Sequence, residues 1–144
     1  MRTPALISDF LAQRRFAVAG VSRHAGEAAN TVFRKLRNSG YEVFPVNPNA
    51  TEVEGVRCYP DLKSIPSQLD GVVIVTAPQV APELVRQCVE LGIPRVWMHR
   101  SFGEGSVSDD AARECQSHGI AVIVGGCPLT VSYTHLTLPT TERV

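Results

Sequence analysis

The chain lacks net charge. Lys and Arg number 14 and Asp and Glu also number 14, so no field strong enough to hold a nucleic acid or an anionic membrane surface is expected, and neither is anticipated as a partner. Long apolar runs are missing as well. None approaches the roughly 20 residues that span a bilayer, and the first eleven residues place Arg2 and Asp9 in a helix-like pattern instead of a signal peptide. A cytoplasmic location is the expectation. Paired cysteines are absent too: Cys58, Cys88, Cys115 and Cys127 are widely separated with no C-x-x-C among them, which argues against a zinc cage and a redox dithiol. His24, His99 and His118 fall at unrelated spacings on a loop, a strand end and a helix end, so they read as surface or core histidines and suggest neither a metal triad nor a catalytic set.

What remains is a pattern of strands alternating with helices. An amphipathic helix over 4–14 carries Leu6, Ile7, Phe10 and Leu11 on one face, and a continuous apolar run over 16–21 follows it. A second helix begins at Asn30, turns Val32, Phe33 and Leu36 inward, and stops at Gly40. The pattern then gives a strand over 41–46, an excursion over 53–62 with a short helical turn near 62–65, and a buried strand over 71–75. A helix over 78–91 closed by Gly92, a strand over 95–99, a helix over 106–117 opened by Ser108-Asp109-Asp110, and a strand over 121–124 complete it.

All five strands are apolar throughout, with no polar alternation, which is the pattern of a parallel sheet covered on both faces. The expected fold class is α/β: a Rossmann-like three-layer α/β/α domain with a five-stranded parallel sheet in the order 3-2-1-4-5. A ligand would then sit over the carboxyl ends of the strands, at the switch point between strands one and four. At 144 residues the chain has room for one core and one site. Residues 1–128 read as that domain. Residues 129–144 differ: five of the nine threonines fall there without periodicity, and the segment reads as a disordered tail or as translated adapter sequence.

The chemistry is concentrated at Gly20-Val21-Ser22-Arg23-His24-Ala25-Gly26, between a buried strand and a helix, where backbone N–H groups and the helix dipole can hold a phosphate. A dinucleotide fingerprint G-x-G-x-x-G would have glycines where Ser22 and Ala25 stand, so the motif is an altered one, and a small-residue turn that binds nothing is an equal reading of it alone. After strand two, where an NAD site offers Asp or Glu to the ribose, the chain offers Asn47-Pro48-Asn49. That uncharged end favours a ligand with a phosphorylated ribose, with Arg23, Arg34 or Lys35 as sources of positive charge.

In Ala19-Gly20-Val21-Ser22-Arg23, in the run 40–48 (GYEVFPVNP), in 73–78 (VIVTAP), in Val96-Trp97-Met98 and in Gly125-Gly126-Cys127-Pro128, the chain resembles the CoA-binding domain family. These are small stand-alone proteins related to the nucleotide-binding domain of the succinyl-CoA synthetase alpha subunit. The resemblance implies a coenzyme A site in which Gly20, Val21, Ser22 and Arg23 approach the pyrophosphate with Asn30 at the adjoining helix start. Asn47 and Pro48 approach the ribose and adenine, Thr76, Ala77 and Pro78 flank the nucleotide, and Trp97 and Met98 line the crevice, against the plainer readings of Thr76 as a strand-end hydroxyl bonded to backbone and of Trp97 as a core residue. The domain bearing the phosphorylated histidine of the full synthetase has no counterpart here, so ligase activity is not implied and no catalytic residue is assigned. Cys127, in a loop after strand five, is a candidate for exchange with the thiol of coenzyme A, against the plainer reading of an inert packed thiol. The expected function is therefore a non-catalytic coenzyme A or acyl-CoA module, working as a homo-oligomer or beside a partner subunit. An NAD(P)-binding redox sensor or oxidoreductase-like domain is the alternative.

Overall fold

A computed structural model describes residues 3–24, 26–76, 78–99 and 108–125 of the chain. Its main sheet consists of β1 (Arg15–Ala19), β2 (Glu42–Val46), β5 (Gly71–Ile74), β6 (Arg95–Met98) and β7 (Ala121–Val124), all parallel, in the order β2-β1-β5-β6-β7. A two-stranded antiparallel hairpin, β3 (Glu52–Val53) and β4 (Val56–Arg57), lies outside it. The helices are α1 (Thr3–Leu11), α2 (Ala28–Asn38), α3 (Ala81–Leu91) and α4 (Asp109–Ser117). This is the expected Rossmann-like three-layer α/β/α arrangement around a five-stranded parallel sheet.

The period-two geometry of each strand sends alternate side chains to opposite layers. Phe16, Val18, Val73, Trp97 and Ile123 join Phe10 of α1 and Val32, Phe33 and Leu36 of α2 in one apolar cluster. Ala17, Ala19, Val72, Ile74, Val96, Met98 and Val122 meet Val85 and Cys88 of α3 and Cys115 of α4 in the other. Burial on both sides explains why the inner strands β1, β5 and β6 are apolar beyond their first residues, and each large side chain so enclosed contributes about 1.5–3 kcal/mol.

Handedness explains which helix takes which face. A right-handed crossover moving one way along the sheet lies on one face, and a crossover moving back lies on the other. The step from β1 outward to β2 puts α2 on the first face. The steps from β5 to β6 and from β6 to β7 put α3 and α4 on the second. Among the described residues no crossover covers the first face over β5 to β7, and α1 fills that space. Phe10 stacks on Phe16 at 4.6 Å between ring centroids and meets Trp97 edge-on at 5.4 Å. Gly71 leaves room for it, since a Cβ there would come within 3.0 Å of the Phe10 ring. Arg95 pairs with Asp9 at 2.7 Å, and the Tyr41 hydroxyl donates to the Leu11 carbonyl at 2.6 Å, fixing the C-terminal end of α1.

One strand lies elsewhere than its order in the chain suggests. The expected sequence of strands puts 71–75 beyond β2, yet β5 pairs with β1 on the side away from β2. The place outside β2 is taken by Tyr59, in a single parallel bridge to Val46. Tyr59 N–H donates to Pro45 O at 3.0 Å and Asn47 N–H to Tyr59 O at 2.9 Å. Pro60 follows at once, and the pairing with β2 goes no further than this one bridge. With the Tyr59 bridge counted third, the order runs 3-2-1-4-5 and continues to β7. The chain then turns through a 3-10 segment, Leu62–Ser64, capped by Asp61 through a bond from Ser64 N–H, and re-enters the sheet beside β1.

Candidate functional site

β1 ends where its neighbours part. Gly20 N–H donates to Val46 O of β2 at 2.9 Å, while Val75 N–H donates to Ala19 O from the other side at 3.0 Å. Beyond this point the chain after β1 turns toward α2 and the chain after β5 turns toward α3 on the opposite face, so a crevice opens between the two loops. Gly20 has φ +109, and a Cβ on it would run into the Val75 carbonyl oxygen. Glycine is required there both by the backbone angle and by the closeness of the two loops.

Two adjoining clefts occupy the crevice. The first, about 400 Å³, has Ala19, Gly20 and Val46 at its floor and Pro48, Thr76, Val80 and Leu84 in its walls, with Asp61 and Glu83 at its margin. Val80 is 44% exposed there, an apolar wall turned to solvent. The second, about 570 Å³, is bordered by Arg23 and Arg57, with Glu52 and the buried Cys58 also in its lining. Pro48, Asn49 and Pro60 belong to both, so the clefts form one surface divided by a proline ridge. Their charge differs as well: two arginines and one carboxylate, Glu52, border one end, and two carboxylates border the other.

The turn after Gly20 is held from inside. Asn30, only 1% exposed, accepts from Ser22 N–H through Oδ1 at 2.9 Å and donates through Nδ2 to Ser22 O at 2.7 Å. Ser22 Oγ accepts from His24 N–H at 3.1 Å. Two amides that the sequence motif suggested for a phosphate, those of Ser22 and His24, are thus occupied by the side chains of Asn30 in α2 and of Ser22 in the turn. Among the described residues the Arg23 amide has no such partner, and Glu27, at the N-cap of α2, makes no side-chain capping bond, leaving the first amides of the helix uncapped. Val21 is fully buried and offers only backbone; its carbonyl accepts from Asn47 Nδ2 at 3.0 Å. Asn47 Oδ1 accepts in turn from Asn49 N–H at 2.8 Å.

The structure brings together Gly20, Ser22, Arg23, Asn47, Pro48 and Thr76 around the crevice, with Asn30 beneath the turn. Pro78 opens a short 3-10 turn, Pro78–Val80, that leads into α3. Trp97 and Met98 are elsewhere. Both are 0% exposed, on opposite faces of β6; Trp97 lies in the aromatic cluster under α1 and its Nε1 donates to Gly125 O at 3.0 Å. They end one strand further from the switch point than the sequence reading supposed, and strand pleating turns them into the core instead of upward into the crevice. Of the cations considered, Arg34 is engaged with Glu54 at 2.7 Å. Ala77 and Cys127, like the segment 129–144, lie outside the described residues.

Residues absent from the sequence reading complete the clefts: Asp61 and Pro60 from the turn after the Tyr59 bridge, Val80, Glu83 and Leu84 from the start of α3, and Arg57 from the hairpin. The Asp61-x-x-Ser64 capping pattern was a local signal for the first of these. Nothing local announces the others. Burial raises the thiol pKa of Cys88 to about 12 and that of Cys115 to about 11, and also pushes Cys58 upward, so none of the three is a nucleophile near neutrality. His118 is exposed beside Glu114 at 3.1 Å, and His99, 7% exposed, has its pKa lowered by burial. No group of three or more metal-ligating side chains occurs among the described residues, and none of their helices is long and apolar enough to cross a membrane.

Comparison with known proteins agrees with this geometry. The chain is 28% identical over 144 residues to the alpha subunit of an ADP-forming acetate–CoA ligase II from Pyrococcus furiosus, covering 94% of this chain and 31% of that one. It is 28% identical over 114 residues to the uncharacterized protein YneT of Bacillus subtilis, covering 79% and 82%. A solved structure of a conserved hypothetical protein from Pyrococcus furiosus superposes with a TM-score of 0.73 at 30% identity, covering 83% of this chain and 99% of that one. The chain spans only 10–31% of the length of the acetate–CoA ligases it matches. Residues 14–132 match the family described as the CoA binding domain, and the chain belongs to that family.

Proposed function

We propose that this protein binds coenzyme A, or an acyl-CoA, across the two clefts and performs no chemistry on it. The observation that carries the reading is the meeting of three features at Gly20: a glycine that nothing larger can replace, an uncapped helix start, and a cleft pair that is cationic at one end and apolar at the other. A diphosphate fits the Arg23 end, where the Arg23 amide and the first amides of α2 supply donors and the helix dipole supplies a favourable field. Pro48, between the clefts, suits contact with ribose and adenine. The apolar wall of Val80 and Leu84 beside Thr76 suits an uncharged pantetheine arm, and the carboxylates of Asp61 and Glu83 would repel phosphate from that end.

An NAD site is less well supported. Its ribose hydroxyls call for a carboxylate at the end of β2, and Asn47 there turns both its amide groups inward, to Val21 and Asn49. Since the chain corresponds to a fraction of each ligase, a partner subunit or a second copy that supplies the reacting groups belongs to the same proposal, as does a cytoplasmic site of action. Calorimetry with coenzyme A, NAD and NADP in parallel tests it. Saturable binding of coenzyme A that is abolished in Ser22→Tyr supports the reading, and preferential binding of NAD overturns it.

A further inference from the structure

Glu54 stands out among the described residues as the one non-glycine with positive φ, at +51. It precedes Gly55 at the tip of the β3–β4 hairpin, where Asn, Asp or Gly is the residue that fits without strain. Its carboxylate is nevertheless directed inward, with 10% of the side chain exposed. Oε2 accepts from Asn30 Nδ2 at 2.8 Å and from Arg34 at 2.7 Å, and the Glu54 carbonyl accepts from Arg37 at 3.1 Å.

We propose that Glu54 is a positioning residue for the ligand-binding turn, acting through Asn30. A carboxylate only accepts, so the group of Asn30 that faces it must be the NH₂. That choice points Oδ1 at Ser22 N–H, and the turn after Gly20 is thereby held in a single form in which the Ser22 amide is occupied and the Arg23 amide is left for the ligand. Arg34 balances the charge of Glu54, so an acidic group stands close to a phosphate site without opposing the anion. The hairpin, which bears Arg57 on its second strand, and the turn, which bears Arg23, are in this way fixed to each other across the cationic cleft.

The binding arm of the test rests on the coenzyme A reading; the exchange arm does not. In Glu54→Ala, hydrogen exchange at the Ser22 amide is expected to speed up by about tenfold, the worth of one buried hydrogen bond. Glu54→Gln, which keeps an acceptor for Asn30 but not the charge for Arg34, should remain within about twofold of the parent. In an Asn30→Ala background Glu54→Ala should add nothing further, because the route through Asn30 is already cut. Coenzyme A affinity should follow the same order. Equal acceleration in Glu54→Ala and Glu54→Gln would assign the effect to the ion pair and overturn the proposal, as would unchanged exchange in both. If the parent protein binds no coenzyme A, the functional reading falls while the exchange series still decides the role of Glu54.

Discussion

Gly20 and Val75 approach each other backbone to backbone, so closely that a single methyl on Gly20 would overlap the Val75 carbonyl oxygen. The two residues belong to the loops that part at the switch point, and their contact sets the bottom of the crevice. Gly20→Ala should therefore destabilise the fold by roughly 3 kcal/mol or more, since it combines a clash with a backbone angle that alanine resists. Gly26→Ala, with nothing within 4 Å of the added carbon and no positive φ, should be close to neutral. Urea denaturation of the two variants checks the contrast, and similar midpoints for both would show that the loops part further than described.

Trp97 separates packing from binding. Replacing it with Phe removes the bond to the Gly125 carbonyl and part of the aromatic cluster with Phe10, at a cost of about 2 kcal/mol. Coenzyme A affinity should stay where it was. A large loss of affinity in a variant that remains folded would place the indole in the site after all.

His99 gives the stability a pH dependence of known sign. Burial lowers its pKa below the ordinary 6.5, so in acid the unfolded chain takes up a proton that the folded one refuses. Its contribution is at its full value above about pH 6.5 and is lost as the pH falls from there toward the lowered folded value. Thermal midpoints at pH 7.5 and pH 5.5 should fall more for the parent than for His99→Gln. An equal fall in both would remove His99 as the cause.

The thiols should divide into two classes. Cys58, Cys88 and Cys115 are buried, and their raised pKa values leave almost no thiolate at pH 7.5. They should react with a disulfide reagent only as fast as the protein unfolds. If Cys127 exchanges with coenzyme A disulfide, its thiolate forms the new S–S bond as one coenzyme A thiolate leaves. Intact mass should then show a single adduct, missing in Cys127→Ser. No adduct, or one that persists in that variant, ends the idea.

Much of this was legible in the residues themselves. Apolar runs without polar alternation announced a parallel sheet, because a strand buried on both faces has no solvent side to mark. Gly40 and Gly92 closed their helices where expected, and Gly20, placed between a buried strand and a helix, marked the crevice. These signals are local: a backbone angle, a cap, a face of a helix. The placing of β5 beside β1 was not legible. It depends on a single bridge at Tyr59 ending at Pro60, and one-residue pairings leave no periodicity to read. Trp97 and Met98 were placed at the crevice by the family resemblance, and only the pleat and the helices laid over the sheet decided that they face the core.

The division follows from the range of the forces. Composition and periodicity determined that the chain makes a layered α/β domain with a glycine turn after its first strand, since burial and backbone geometry act within a few residues. Which carboxylate supports Asn30 and which two arginines border one cleft were decided by residues 24 to 34 positions apart in the chain, Asn30 to Glu54 and Arg23 to Arg57. Contacts at such separations exist only once the sheet has brought the loops together at one edge.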